Sequence, residues 1–344
     1  MQTEQRPVMR EKLKKTVRYG LSLGLAAAFM YFSFRGIAWN DFAAGLRECR
    51  WEFVLLSMLA GVFAFWLRGL RWRRLLLPAD PGISRLTAFN AVSIGYLANL
   101  VLPRAGELVR CGVISRRSSV EASKKSETNG ASYDRVLGTV VLERGWDLLT
   151  MLLLLAALLV FRWKKFGAFF VERMWTPVSE SLDFGFWWIL SAVLVVLAAA
   201  VCCMIAFREH SRLLSKIYSF FAGVMRGFAG CFKMKNKWLF MLYTVIIWGM
   251  YWLMSYSVVQ AVPTLASLGA ADALFLMLAG SLGLLVPVPG GFGSFHFVVA
   301  SALSAIYGLP FASGIIFATV SHESQALITV LCGGSSLFCE AVRK

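Results

Sequence analysis

Charged side chains are scarce in this sequence. They make up 16% of its 344 residues, with only 19 acids, whereas 58% of the residues are hydrophobic. Soluble domains carry ~25% charge. So little polar surface cannot cover a water-soluble core, which excludes an ordinary cytosolic enzyme. Histidine is rarer still, at three residues. That argues against a multi-histidine metal centre, and no metal ligands and no cofactor are expected. The seven cysteines (49, 111, 202, 203, 231, 332 and 339) form no Cys-x-x-Cys pair and lie mostly in or beside apolar runs, so neither a zinc site nor a disulfide framework is indicated. Glycine has no strict period, and 27 Phe and 12 Trp exclude disorder and fibrous repeats. What is abundant is long apolar runs, which point to an all-α polytopic membrane protein.

Six segments are long and apolar enough to cross a hydrocarbon core ~30 Å thick: 17–35, 51–70, 135–160, 185–207, 238–260 and 312–338. Two further apolar regions, 86–115 and 271–308, are broken by Pro and Gly. The first breaks at Leu102-Pro103-Arg104-Ala105-Gly106-Glu107 and the second at Val286-Pro287-Val288-Pro289-Gly290-Gly291-Phe292-Gly293. Both are expected to be re-entrant helical hairpins; for 271–308, two separate spans remain an alternative. The formal net charge of +16 is not read as nucleic-acid binding, because the basic residues sit between apolar runs. With the N-terminus in the cytoplasm, segments 1–18, 68–85, 104–135 and 208–237 carry 6, 5, 7 and 7 basic residues inside. The opposite side receives 3 (35–52), 4 (161–184) and 0 (259–270). Both termini are then cytoplasmic. The basic N-terminus precedes an apolar run with no small-residue cleavage site, so the first span is expected to be uncleaved.

The chain reads as a single membrane domain over 1–344. Its order of span, span, broken hairpin, span occurs twice, in 17–160 and 185–338, with opposite starting sides, as in an inverted repeat. Residues 116–134 are polar and expected to be a flexible cytoplasmic loop. In 208–237, helical apolar spacing is mixed with Arg212, Lys216, Arg226 and Lys233, which predicts an amphipathic interfacial segment.

Charge inside the apolar slab is the chemical signal. Glu143-Arg144-Gly145-Trp146-Asp147 falls inside the span 135–160. Charged groups at that depth must face protein or water. Glu143 and Asp147 share a helix face and repel each other, so a cation from elsewhere is needed. If the helix instead began later, the three charges would lie at the interface. The first break supplies candidates in Arg104 and Arg110, with Glu107 between them. A planar guanidinium grips phosphate bidentately, and the amides opening the helix after the break also favour an anion. Asn99 is placed to hydrogen-bond the carbonyls freed by Pro103, and Gly106 permits the tight turn. In the second break, Pro287, Pro289, Gly290, Gly291 and Gly293 forbid continuous helix, and exposed backbone is expected to line a cavity. His296 and His322-Glu323 are polar groups in apolar surroundings; if they titrate, they are the candidates for proton coupling.

Three strings together resemble the transmembrane domain of the lysylphosphatidylglycerol synthase family, the flippase-like integral membrane proteins. They are Asn99-x-x-Leu102-Pro103-x-x-Gly106-Glu107-x-x-Arg110, Glu143-Arg144-x-x-Asp147 and Pro287-x-Pro289-Gly290-Gly291-x-Gly293. The resemblance covers about 17 to 338. It implies a lipid-handling domain of a bacterial-type cytoplasmic membrane, in some members moving an aminoacylated phospholipid between leaflets. It also implies that Arg104, Glu107, Arg110, Glu143, Arg144 and Asp147 form one site. Where the family usually has Glu three residues after the last glycine, this chain has His296. The bifunctional members continue into a soluble aminoacyl-transfer domain; this sequence ends at Lys344, so synthase activity is expected to be absent.

The leading expectation is a translocase of a lipid with an anionic, phosphate-bearing headgroup, an aminoacylated phospholipid or a polyprenyl-phosphate lipid among them. Homo-oligomerisation or a separate lipid-synthesis enzyme would supply protein partners. The alternatives are an embedded enzyme using Glu143 or His296 as general base, and a non-catalytic subunit of an envelope-lipid pathway.

Overall fold

A computed structural model of the chain describes residues 5–124, 131–181, 188, 191–193, 195–196, 202, 212–232 and 234–343. All the regular structure among them is helical. The helices are α1 (Gln5–Phe34), α2 (Trp39–Arg47), α3 (Trp51–Leu76), α4 (Arg85–Val101), α5 (Gly106–Lys124), α6 (Tyr133–Phe170), α7 (Thr176–Ser181), α8 (Arg212–Cys231), α9 (Lys237–Ala261), α10 (Ala270–Gly283), α11 (Ser294–Tyr307) and α12 (Phe311–Val342).

Among the described residues, five stretches are long and apolar enough to cross a membrane: Trp51–Leu76, Tyr133–Gly167, Lys237–Ala261, Pro289–Tyr307 and Phe311–Val342. A sixth is added among them if a bent pair, Tyr19–Phe34 with Trp39–Arg47, counts as one span. Four of the six expected spans, 51–70, 135–160, 238–260 and 312–338, coincide with these stretches. The first expected span, 17–35, does not lead into a loop; it turns by 85° into α2. Gly36, with φ +79°, makes the turn. The elbow is packed by Phe34, Trp39 and Phe42, whose ring centroids lie 5.8–5.9 Å apart. Aromatic contacts across the bend stabilise it where no proline is present. In the region 271–308, α10 has 14 residues, ~21 Å of helix against a ~30 Å core, while the stretch that follows is long enough alone. The expected span 185–207 lies mostly outside the described residues.

Residues 116–124, expected in a flexible loop, continue α5. Ser118 is the reason the polar run stays ordered: its hydroxyl donates to Asp80 and accepts the Ala131 amide at 2.6 Å, and the residue is buried. The segment read as amphipathic does contain a helix, α8. Helix α6 begins at Tyr133 and runs past the expected end at 160 with a kink at Arg162.

The chain divides into two compact units. One comprises Met1–Arg74, Gly82–Arg117 and Lys235–Lys344; the other comprises Leu75–Pro81 and Ser118–Met234. The division cuts across the halves 17–160 and 185–338. In the first unit, α12 packs against α4 and α11, α11 against α10 and α1, and α9 against α10. Small residues let these backbones approach. A Cβ on Gly333 would lie 2.6 Å from Leu97 Cβ, and one on Gly314 2.6 Å from Ala300 Cα. Ile315, Phe317, Val299, Leu303, Leu276, Ala88 and Ala91 form the buried core between them. In the second unit, α6 packs along α8.

Candidate functional site

The two helix breaks of the first unit meet each other. Between α4 and α5, Leu102 still donates its amide to Ala98 O at 2.8 Å, and Ala105 closes a turn onto Leu102 O at 3.1 Å. Gly106 opens α5, and its amide donates to Asn99 Oδ1 at 2.7 Å. Asn99 therefore caps an amide and does not serve the freed carbonyls, contrary to expectation. One of the amides expected to face an anion is thereby taken. Gly106 has no space for a side chain because Gly95 O of α4 lies against it.

Arg104 sits at the tip of this break with φ +61°, one of two non-glycine residues with positive φ among those described. Its guanidinium is exposed and donates to Leu285 O at 2.9 Å. That carbonyl belongs to the turn just after α10, which leads into the second break. Leu100 also reaches that break; its Cδ2 lies 3.0 Å from the place a Cβ on Gly290 would take. Of the glycines in the second break, Gly290 thus packs against the first break, while Gly291 faces Leu284 and Gly293 faces α1.

Carbonyls around the second break, those of Gly283, Gly290, Gly291 and Gly293, find side-chain partners, as buried non-helical backbone must. The Ser294 hydroxyl lies 2.9 Å from Gly283 O and 3.1 Å from Gly291 O, and Ser33 of α1 donates to Gly293 O at 3.2 Å. His322 Nε2 lies 2.8 Å from Gly290 O. Gly293 has φ +80°, and a Cβ there would lie 2.6 Å from Met30 N, so α1 runs directly over it.

His296, on α11, comes together with His322 and Glu323, neighbours on α12, in the same unit. Glu323 Oε1 is 3.4 Å from His296 Nε2 and 3.2 Å from His322 Nδ1. Both imidazoles are buried, while the Glu323 side chain is 41% exposed. Phe34 and Phe295 flank His296, with ring centroids at 6.0 and 6.2 Å, and Phe292 lies 4.9 Å from His322.

Arg110 is 3% exposed, with its guanidinium 4.6 Å from the centroid of the Trp72 ring. It is a packed cation–π group and not the open guanidinium anticipated. Glu107 is half-buried on the first turn of α5. Glu143, Arg144 and Asp147 belong to the second unit. Glu143 lies ten residues into α6 and is fully buried, while Arg144 and Asp147 are half-buried. Ten residues place Glu143 ~15 Å along the helix.

Two arginines escaped the sequence reading. Arg68 and Arg71 were counted among loop charges, yet both are buried on α3 at 4% and 0% exposure. Arg68 donates to Tyr251 OH at 2.9 Å and lies 5.5 Å from the Tyr96 ring. Arg71 donates to Thr244 Oγ1 at 3.4 Å and lies 5.6 Å from the Phe240 ring. Their i, i+3 spacing within an uninterrupted helical run was the available signal.

Apolar helices of spanning length, two interrupted at Pro/Gly strings and carrying buried charge, define a polytopic helical membrane protein. Residues 19–333 match the family described as Lysylphosphatidylglycerol synthase TM region, and the chain belongs to that family. No curated protein and no solved structure matches it significantly.

Proposed function

We propose that the protein is a lipid translocase that moves a lipid with a phosphate-bearing headgroup between leaflets. An aminoacylated phospholipid and a polyprenyl-phosphate lipid both fit this class. The reading is carried by Arg104: an exposed guanidinium, held on a left-handed backbone, whose hydrogen bond to Leu285 O joins the two helix breaks. Backbone held in a sparsely populated conformation costs energy and marks positions where side-chain direction matters. A neutral carbonyl is a weaker acceptor than a phosphate oxygen, and the guanidinium fork suits phosphate. An arriving headgroup therefore exchanges with Leu285 O. The exchange releases one break from the other and gives the substrate control over their relative movement, which alternating access requires. Asn99 keeps the opening of α5 fixed during the exchange. Glu107 on the first turn of α5 is assigned to the same substrate path, where its carboxylate balances the guanidinium charge or meets a cationic headgroup; Glu143, Arg144 and Asp147 on α6 are proposed to bind the headgroup within their own unit.

The test is reconstitution of the full chain into vesicles carrying a fluorescent phosphatidylglycerol, with a membrane-impermeant quencher reporting leaflet exchange. Wild type is expected to exchange the label. Arg104→Ala and Glu143→Gln are expected to slow it at least about tenfold, as loss of a charge-assisted contact of ~1.5–3 kcal/mol allows, with unchanged yield of folded protein. Arg104→Lys, which keeps the charge but not the fork, should fall between. Exchange by Arg104→Ala at the wild-type rate refutes the assignment. A chemically altered headgroup in the same vesicles points instead to enzymatic work on the lipid phosphate.

A further inference from the structure

We infer that His296, His322 and Glu323 form a binding site for a divalent first-row transition metal, zinc by preference, in the second helix break. This does not rest on the translocase reading. The sequence gives no metal-ligand spacing, since His296 lies 26 residues before His322, and only the packing of α11 against α12 brings them together.

The first argument is the direction of the hydrogen bonds. Gly290 O is a carbonyl and only accepts, so the contact of 2.8 Å to His322 Nε2 requires the proton on Nε2. In the neutral ring, Nδ1 then carries a bare lone pair. That lone pair faces a carboxylate oxygen of Glu323 at 3.2 Å. Two acceptors at this separation repel unless a cation lies between them. A metal-bound imidazole characteristically donates its other N–H to a backbone carbonyl, which is the role Gly290 plays here.

The second argument is the spacing. Ligand atoms ~2.0–2.1 Å from one tetrahedral ion lie ~3.3–3.4 Å from each other. Glu323 Oε1 is 3.4 Å from His296 Nε2 and 3.2 Å from His322 Nδ1; the full set of ligand atoms lies within 4.8 Å, so a small inward turn of one imidazole completes the set on an ion. The third argument is the setting. Glu323 lies twelve residues into α12, and a carboxylate at such depth needs a compensating charge. Phe34, Phe292 and Phe295 pack against the imidazoles, which limits water on that side. Two imidazoles and one carboxylate suit zinc better than magnesium or calcium, which prefer oxygen donors. Three protein ligands leave a fourth position, on the partly exposed Glu323 side, for water or a phosphate oxygen.

The competing occupant is a second proton on His322. The full chain, purified in detergent through a histidine-free tag, is stripped with EDTA, incubated with Zn(II) or Co(II), desalted and analysed for metal by mass spectrometry. The expected result is about one zinc per chain, with visible cobalt bands of tetrahedral form and a zinc-dependent rise in melting temperature. His296→Ala, His322→Ala and Glu323→Gln should each lower zinc affinity at least about tenfold and remove that rise. His210→Ala should change neither. Glu323→Gln is nearly isosteric, so its metal-free melting curve separates lost ligation from lost folding. Absence of stoichiometric zinc in wild type overturns the proposal, as does zinc retained equally by Glu323→Gln and His296→Ala, or lost in His210→Ala.

Discussion

Arg104 offers a comparison in which stability and transport move separately. Replacing it by alanine or by glycine removes the same guanidinium and the same hydrogen bond to Leu285 O. The two variants differ only in what they do with φ +61°. An L-residue in the left-handed region is disfavoured by roughly 1–2 kcal/mol, and glycine is not. Glycine in turn loses more backbone freedom on folding, about 0.4–1 kcal/mol. The difference leaves Arg104→Gly more stable than Arg104→Ala by about 0.5–1 kcal/mol. At this chain length that amounts to about 1–3 °C in melting temperature, measurable by intrinsic fluorescence of the many tryptophans in detergent. Both variants should be equally inactive in leaflet exchange. If alanine proves as stable as glycine, Arg104 does not sit in the left-handed region, and the aimed guanidinium loses its structural basis. If glycine restores exchange, the side chain is not what the substrate meets.

Two further substitutions test the packing around the breaks. Gly293→Ala combines a positive φ with a Cβ 2.6 Å from Met30 N, so a loss of roughly 2–4 kcal/mol is expected; limited proteolysis should report release of α1, and wild-type resistance would contradict the close approach. Tyr251→Phe removes the acceptor 2.9 Å from the buried Arg68. A loss of about 1.5–3 kcal/mol is expected by thermal melting, and a neutral result would mean that Arg68 gains nothing from that hydroxyl.

Much of the local architecture was readable without coordinates because it depends on neighbouring residues. Pro103 and Gly106, and the Pro287 to Gly293 string, interrupt helices where the missing N–H donors and positive φ values demand it. Apolar runs gave the spans of α3, α6, α9 and α12 for the same reason. The elbow between α1 and α2 was not readable, since a lone Gly36 carries little information and the bend is held by contacts among Phe34, Trp39 and Phe42. Nor was the helical state of 116–124, whose composition reads as loop until Asp80 and Ala131 are seen to engage Ser118. Arg68 and Arg71 looked solvated because charge alone does not reveal the aromatic and hydroxyl groups brought in by α4 and α9.

Composition and local pattern alone determined that this chain lives in a bilayer, that its helices break twice at Pro/Gly strings, and that charge is buried within α6, because solvation and backbone sterics act over a few residues. Only the tertiary structure decided that the two breaks join through Arg104 and Leu285, and that His296 meets His322 and Glu323. Contacts between residues 181 or 26 positions apart depend on how helices pack, and no local preference encodes that.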